Sequence, residues 1–302
     1  VVRCGARPVF ADISVDSQNL TPESVETVLS PETRAIVAVH HAGWPCDMGG
    51  LMALADRHDL VVIEDCAQAH GAQVNGRPVG GLGHIAAFSF CQDKIMTTGG
   101  EGGMLVTNDE AIWEKVWAAK DHGKSYEAVF EREHPPGFGF RWLHESFGTN
   151  ARMTEMQAAI GRVQLGKLTE WVKKRTEDAH NIARALSAFP AIRVPMPDAH
   201  TQHAYYRLYA FVDNNRLREG WDRDRIMNAI NDLGIPCFSG SCPEIYNEKA
   251  FEAAGLQPDV PLPNAASLGP TSLAFLVHPT LTSDDIQRTC DAISTVMSSA
   301  AR

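Results

Sequence analysis

Lys94 stands a short loop after Phe88-Ser89-Phe90, in a stretch with few charges. An amine shielded by apolar neighbours loses proton affinity and becomes a nucleophile able to form a Schiff base. Taken singly, the same residue also reads as a solvated surface lysine. Asp65 lies just past the apolar run Leu60-Val61-Val62-Ile63, at the carboxyl end of an expected buried strand. Ligand crevices of α/β sheets form at such ends. A carboxylate there can hold a heteroaromatic nitrogen protonated; a helix cap or a surface aspartate is the alternative. Ser89, a small hydroxyl between two aromatics, can bond a phosphate or cap a strand end. The run Gly99-Gly100-Glu101-Gly102-Gly103 lets the backbone pack close to a ligand, although alone it is an ordinary flexible turn. Taken together, an amine for a Schiff base, a carboxylate for a pyridine nitrogen and a hydroxyl for a phosphate are what pyridoxal phosphate asks of a protein.

The elements that must position these groups follow from the alternation of short apolar runs with amphipathic stretches over residues 1–120. Strands are expected at 8–13, 34–40, 60–63, 85–90 and 103–107. Helices are expected from Thr21, with Pro22 in the first turn, and over 49–58. This alternation predicts an α/β fold with a largely parallel sheet covered by helices. Residues 121–149 are irregular and rich in Gly, Pro and His, and a loop of that length is usually functional or mobile. Residues 154–186 read as long helical structure ended by Pro190, Pro195 and Pro197. From Tyr205 onward a strand, a helix over 224–233, another strand and a last helix from Ser283 form a smaller α+β unit. We expect two domains, 1–172 and 173–302. Trp113 and Trp117 fall at helical spacing and are expected in the core. His203-Ala204-Tyr205-Tyr206 reads as the start of a half-buried strand, or as a lining of the site.

The chain has 302 residues, 44% of them hydrophobic and 21% charged, an ordinary globular balance that excludes global disorder. Its apolar runs fall far short of the ~18–20 residues that cross a bilayer. Its 27 basic and 37 acidic residues give a net charge of −10, which disfavours nucleic acid as a partner but leaves room for an anionic small molecule in a local cluster of donors. Seven cysteines without disulfide-scaffold spacing point to a reducing cytoplasm. His40, His41 and Cys46 lack a second half of a ligand set, so they read as a strand-end loop and no metal is expected. There is no initiator methionine, and Val1-Val2-Arg3-Cys4 reads as the end of one element, so a truncated N-terminus is expected.

Five runs carry a resemblance to a known family: PVFADI at 8–13, EDCAQAHGA at 64–72, FSFCQDK at 88–94, GGEGG at 99–103 and GTNARMTEMQAAIGRVQLGKL at 148–168. Weaker matches surround Arg223-Asp224, Gly234-Ile235 and Leu281-Thr282. The chain resembles the sugar aminotransferases of the DegT/DnrJ/EryC1/StrS family, fold-type I pyridoxal-phosphate enzymes, over nearly its whole length. The resemblance implies that Lys94 binds the cofactor covalently and that Asp65 partners its pyridine nitrogen. It further implies that Gln68 contacts the 3-hydroxyl and Ser89 the phosphate, and that Asn150 reaches the phosphate held by a neighbouring subunit. That last role implies a homodimer with shared sites. Arg152 is a candidate for substrate or phosphate, or a surface salt-bridge residue. His203 and Ser239 are further substrate candidates, although Phe238-Ser239-Gly240-Ser241 departs from the family's usual histidine or tyrosine. Family members also carry a longer N-terminal segment with a Gly-Thr phosphate loop.

The implied reaction moves an amino group from L-glutamate to a keto group, C4 by resemblance, of a nucleotide-linked 6-deoxy sugar. Alternatives are a 3-keto aminotransferase, a sugar 3-dehydratase, a cysteine-dependent sulfur transferase and a non-catalytic regulatory homologue. Family dehydratases put histidine where Lys94 stands. Sulfur transfer needs a mobile nucleophilic cysteine, for which Cys242 is a weak candidate. A regulatory homologue is expected to lose Lys94 or Asp65.

Overall fold

The structure is a computed structural model that describes residues 1–134, 136, 137 and 139–302. Helix α1 (Pro22–Glu26) starts where Thr21 and Ser24 cap each other's backbone N–H groups. Strand β1 (Ala35–Val39) follows, with Ile36 and Ala38 buried and its other face open. Helix α2 (Met48–His58), capped by Asp47, packs Leu51 and Leu54 against β2 (Val61–Asp65). A small hairpin of β3 (Gln73–Val74) and β4 (Arg77–Pro78) leads to β5 (Ile85–Ser89) and β6 (Gly103–Thr107). The sheet order is β1-β2-β5-β6. The first three strands are parallel and β6 is antiparallel to β5. The carboxyl ends of β1, β2 and β5 therefore share one edge, and the residues that follow them meet there.

Helices α3 (Glu110–Lys120) and α4 (Tyr126–Phe130) come next, then α5 (Glu155–Leu165) and the 20-residue α6 (Leu168–Ser187). The second unit is an antiparallel sheet in the order β10-β11-β9-β7, built from β7 (Ile192–Arg193), β9 (Leu208–Val212), β10 (Cys237–Phe238) and β11 (Ser272–Phe275). Helices α6, α7 (Arg223–Asp232) and, at the chain's end, a helix over Ser283–Ala300 cover it. Its core holds Ile182, Leu186, Ile226, Ile230, Leu273, Phe275 and Ile293. The remaining strand, β8 (Thr201–Gln202), pairs with β3 and so ties the two units together. Helix α6 runs unbroken across residue 172.

Several sequence expectations need correction. Residues 8–13 are not a strand: only Ile13 makes a single bridge, to Leu20. The stretch docks instead on the second unit. Phe10 packs edge-on against Tyr246 and Phe251, and the Asp12 carboxylate accepts from the N–H groups of Asn264 and Ala265. The helical stretch 154–186 is two helices, broken at Gly166 and Lys167. Trp113 and Trp117 are not core residues, because α3 buries no residue at all. Trp113 is 38% exposed and packs at a tilt against Trp117 and Tyr126 in a surface aromatic cluster. The segment 203–207 precedes its strand rather than opening it, since β9 begins at Leu208.

Candidate active site

The edge where β1, β2 and β5 end is built on a buried carboxylate, Glu64, one residue before Asp65. Its Oε1 accepts from the backbone N–H groups of Leu82 and Gly83 at 2.8 and 2.6 Å. Its Oε2 accepts from Gly80 N–H at 2.8 Å and meets His40 Nε2 at 3.0 Å. Cys46 N–H donates to His40 Nδ1, so the imidazole proton sits on Nε2 and donates to Glu64. Burial alone would raise the Glu64 carboxyl; the bonds from His40, Gly80 and Gly83 outweigh it and hold the group below its ordinary range. Cys66 lies close to both, a grouping that could suggest a metal. However, both imidazole nitrogens and both carboxylate oxygens are already engaged, and burial pushes the Cys66 thiol far up. The grouping is the brace of the sheet edge.

Asp65 ends β2, and its Oδ1 accepts from Ala67 N–H at 3.0 Å, which turns the chain. Gln68 then reaches back, its Oε1 accepting from Ala42 N–H at 2.8 Å and its Nε2 left to donate elsewhere. Gly43 makes this approach possible: at φ +94°, a Cβ there would stand 2.9 Å from Gln68 O and 3.0 Å from Ala204 Cβ. Ser89 ends β5, and its Oγ accepts from Cys91 N–H.

The loop after β5 carries Lys94 and is pinned from α5. Gln164 Oε1 accepts from Thr97 N–H at 2.8 Å, and Gln157 Nε2 donates to Glu101 O. The Lys94 side chain is 17% exposed, with Nζ 3.7 Å from Asp93 Oδ1 and 5.2 Å from the centre of the Tyr206 ring. Tyr206 Oη donates to Asp93 Oδ2 at 2.5 Å. That bond, ahead of the Lys94 charge, holds the Asp93 carboxyl below its usual range. Burial, then the bond to Asp93, pushes the Tyr206 phenol up to about 12.

Tyr206 is delivered to this point by a strained turn. Tyr205 takes φ +47°, a costly conformation for a bulky side chain. Buried Arg175 on α6 holds it by donating to the carbonyls of Tyr205 and Tyr206. Burial lowers the Arg175 guanidinium to about 10. Further ties run from Ala204 N–H to Gly43 O and from Tyr206 N–H to Ala42 O. His70 is buried between Phe88 and Phe90, and burial lowers it to about 4, so it is neutral at pH 7.

Lys94, Asp65, Gln68 and Ser89 thus share one strand-end edge. Asn150 and Arg152 form an exposed cluster of their own: Arg152 Nε donates to Asn150 Oδ1 at 2.9 Å, and its Nη1 lies 3.4 Å from Asp121. His203 is buried, its ring stacked on Tyr205 at 4.0 Å and its Nδ1 taken by Tyr205 N–H. Ser239 is exposed on the turn after β10, and its carbonyl accepts from Ser272 Oγ. Sequence reasoning missed the roles of Glu64, Asp93 and Arg175. The adjacency of Asp93 to Lys94 was the one visible signal.

A sequence profile of the DegT/DnrJ/EryC1/StrS aminotransferase family matches residues 1–294. The chain belongs to that family. Aminotransferases of this family use pyridoxal phosphate, and this chain is an aminotransferase. It is 57% identical to the aminotransferase from Psychrobacter cryohalolentis, whose X-ray structure it matches with a TM-score of 0.95 over 99% of this chain and 77% of that one. It is 30% identical to the spore coat polysaccharide biosynthesis protein SpsC of Bacillus subtilis, covering 99% of this chain and 76% of SpsC. It is also 31% identical to the dTDP-3-amino-3,4,6-trideoxy-alpha-D-glucose transaminase of Streptomyces venezuelae, covering 96% and 70%. Among the described residues no helix is long and apolar enough to cross a membrane.

Proposed function

We propose that this aminotransferase takes the amino group of L-glutamate and delivers it to the C4 keto group of a nucleotide-linked 6-deoxy sugar, with pyridoxal phosphate held by Lys94. The observation that carries the reading is the Lys94 amine, largely shielded and set beside Tyr206, on the sheet edge that also ends in Asp65 and Ser89. The donor set fits the cofactor: an amine for its aldehyde, a carboxylate for its ring nitrogen, an amide N–H of Gln68, unpaired among the described residues, for its 3-hydroxyl and a hydroxyl for its phosphate. Bound there, the cofactor supplies an electron sink for the bond broken at the donor's α-carbon.

The chain's own groups do the rest. Asp65 keeps a proton on the ring nitrogen by its negative charge. Lys94 would carry the proton from the donor α-carbon to the cofactor's aldehyde carbon, and in the return half-reaction one from there to the sugar carbon. Asp93 Oδ1 stands 3.7 Å from the Lys94 amine and orients it. Tyr206 closes one side of the amine and keeps water from it. Asn150 belongs to the phosphate site of a second copy of the chain. A homodimer is supported by the exposed apolar side chains Met156, Ile160, Val163 and Leu165 on α5, close in sequence to Asn150.

The test is release of 2-oxoglutarate when the enzyme, loaded with pyridoxal phosphate, meets glutamate and a panel of nucleotide-linked ketosugars. Release beyond one equivalent per active site with a 4-ketosugar supports the reading, and no such turnover with any ketosugar defeats it. A second reading, amination at C3, draws on the Streptomyces venezuelae relative, whose name specifies a 3-amino sugar. The same panel separates the two.

A further inference from the structure

Arg207 is the next residue after Tyr206, and its guanidinium lies against two aromatic rings. It is 5.6 Å from the centre of the Tyr206 ring and 4.7 Å from that of Phe238. Phe238 comes from β10 and is 40% exposed. Arg207 forms no ion pair among the described residues, although a carboxylate stands close by: Asp93 is engaged by Tyr206 Oη and Lys94 instead. A guanidinium packed on aromatic faces keeps its N–H edge free to donate, which suits two-pronged recognition of an oxyanion. Lys94 and Arg207 both lie against the same tyrosine ring, at 5.2 and 5.6 Å from its centre.

We propose that Arg207, packed against Tyr206 and Phe238, anchors an oxyanion of the substrate beside Lys94. This rests on the aminotransferase reading above. Two ligands of that reaction present oxyanions, the amino donor through its carboxylates and the nucleotide sugar through its diphosphate. They share the same recognition chemistry, a charged fork of N–H donors meeting two oxygens.

The experiment is equilibrium binding of two unreactive ligands, 2-oxoglutarate and dTDP, to the cofactor-loaded protein by calorimetry. The unchanged chain is compared with Arg207→Gln and Arg207→Lys, and the absorption spectrum of the bound cofactor is recorded for each. The expected result is that Arg207→Gln weakens one ligand by about 10- to 100-fold, the loss of a charge-assisted paired contact, and leaves the other within about twofold. Arg207→Lys falls between, because it keeps the charge but not the fork. Weaker 2-oxoglutarate binding assigns the anchor to the donor; weaker dTDP binding assigns it to the nucleotide. An unchanged cofactor spectrum excludes a collapsed site. Equal affinities of Arg207→Gln and the unchanged chain for both ligands would overturn the proposal while leaving the aminotransferase reading intact. Loss of both ligands together with an altered spectrum overturns it too. An unchanged chain that binds neither ligand contradicts the aminotransferase reading itself.

Discussion

Replacing Glu64 with glutamine is a near-isosteric change with a large expected effect. The carboxylate accepts from Leu82 and Gly83 on one oxygen and from Gly80 and His40 on the other, fully out of water. A glutamine offers one oxygen and one NH2. Whichever way the amide is turned, its NH2 faces two N–H donors. If it faces Gly80 and His40, the imidazole cannot help by changing tautomer, because its Nδ1 is needed to accept from Cys46 N–H. Two buried donors are therefore orphaned and a charge-assisted pair is lost. At about 1.5–3 kcal/mol for each bond to a charged group, the change costs about 3–5 kcal/mol. Urea unfolding should show the midpoint fall with the slope unchanged. The effect also has a pH signature. The native Glu64 carboxyl is held below its ordinary range, so its contribution is present above the unfolded glutamate value and fades as the pH falls through the native one. The gap between the unchanged chain and Glu64→Gln should therefore narrow in acid. A cost under about 1 kcal/mol at neutral pH, or a gap that widens on acidification, would refute the account of this brace.

Gly43→Ala forces a Cβ into a left-handed backbone against Gln68 O and Ala204 Cβ; we expect a loss of a few kcal/mol in thermal unfolding and weaker cofactor binding. Tyr206→Phe removes the bond to Asp93 without opening a cavity. It should leave folding within about 1 kcal/mol while raising the Asp93 pKa, seen as a shift of the acid limb of the pH–rate profile to higher pH. Arg175→Met leaves the strained Tyr205 and its neighbour's carbonyl without their buried donor, and should slow the glutamate half-reaction far more than it changes the far-ultraviolet circular dichroism. Trp113→Ala should cost well under the ~3–5 kcal/mol of a core tryptophan, because the residue lies on the surface of α3.

The sheet edge was legible because buried parallel strands read as unbroken apolar runs, and Asp65 and Ser89 sit where those runs stop. The loop to Lys94 was legible for the same reason. What escaped was set by contacts distant in sequence. Nothing local marks Tyr206 as the partner of Asp93, since it arrives through a positive φ at Tyr205 and a hydrogen bond from Arg175 on another helix. Residues 8–13 have the composition of a strand. Asp12, however, caps the start of the Pro263–Leu268 helix in the second unit, a role that only tertiary structure assigns. The spacing of Trp113 and Trp117 correctly gave one helix face, but periodicity says only that two side chains share a face, not that the face is covered.

The central claim is that Lys94 is the residue that carries pyridoxal phosphate. Loading the protein with the cofactor, reducing it with borohydride and mapping the peptides by mass spectrometry tests this directly. The account predicts one labelled peptide, with the label on Lys94, and none in Lys94→Ala. A label on any other lysine, or full conversion of glutamate by Lys94→Ala, would contradict it.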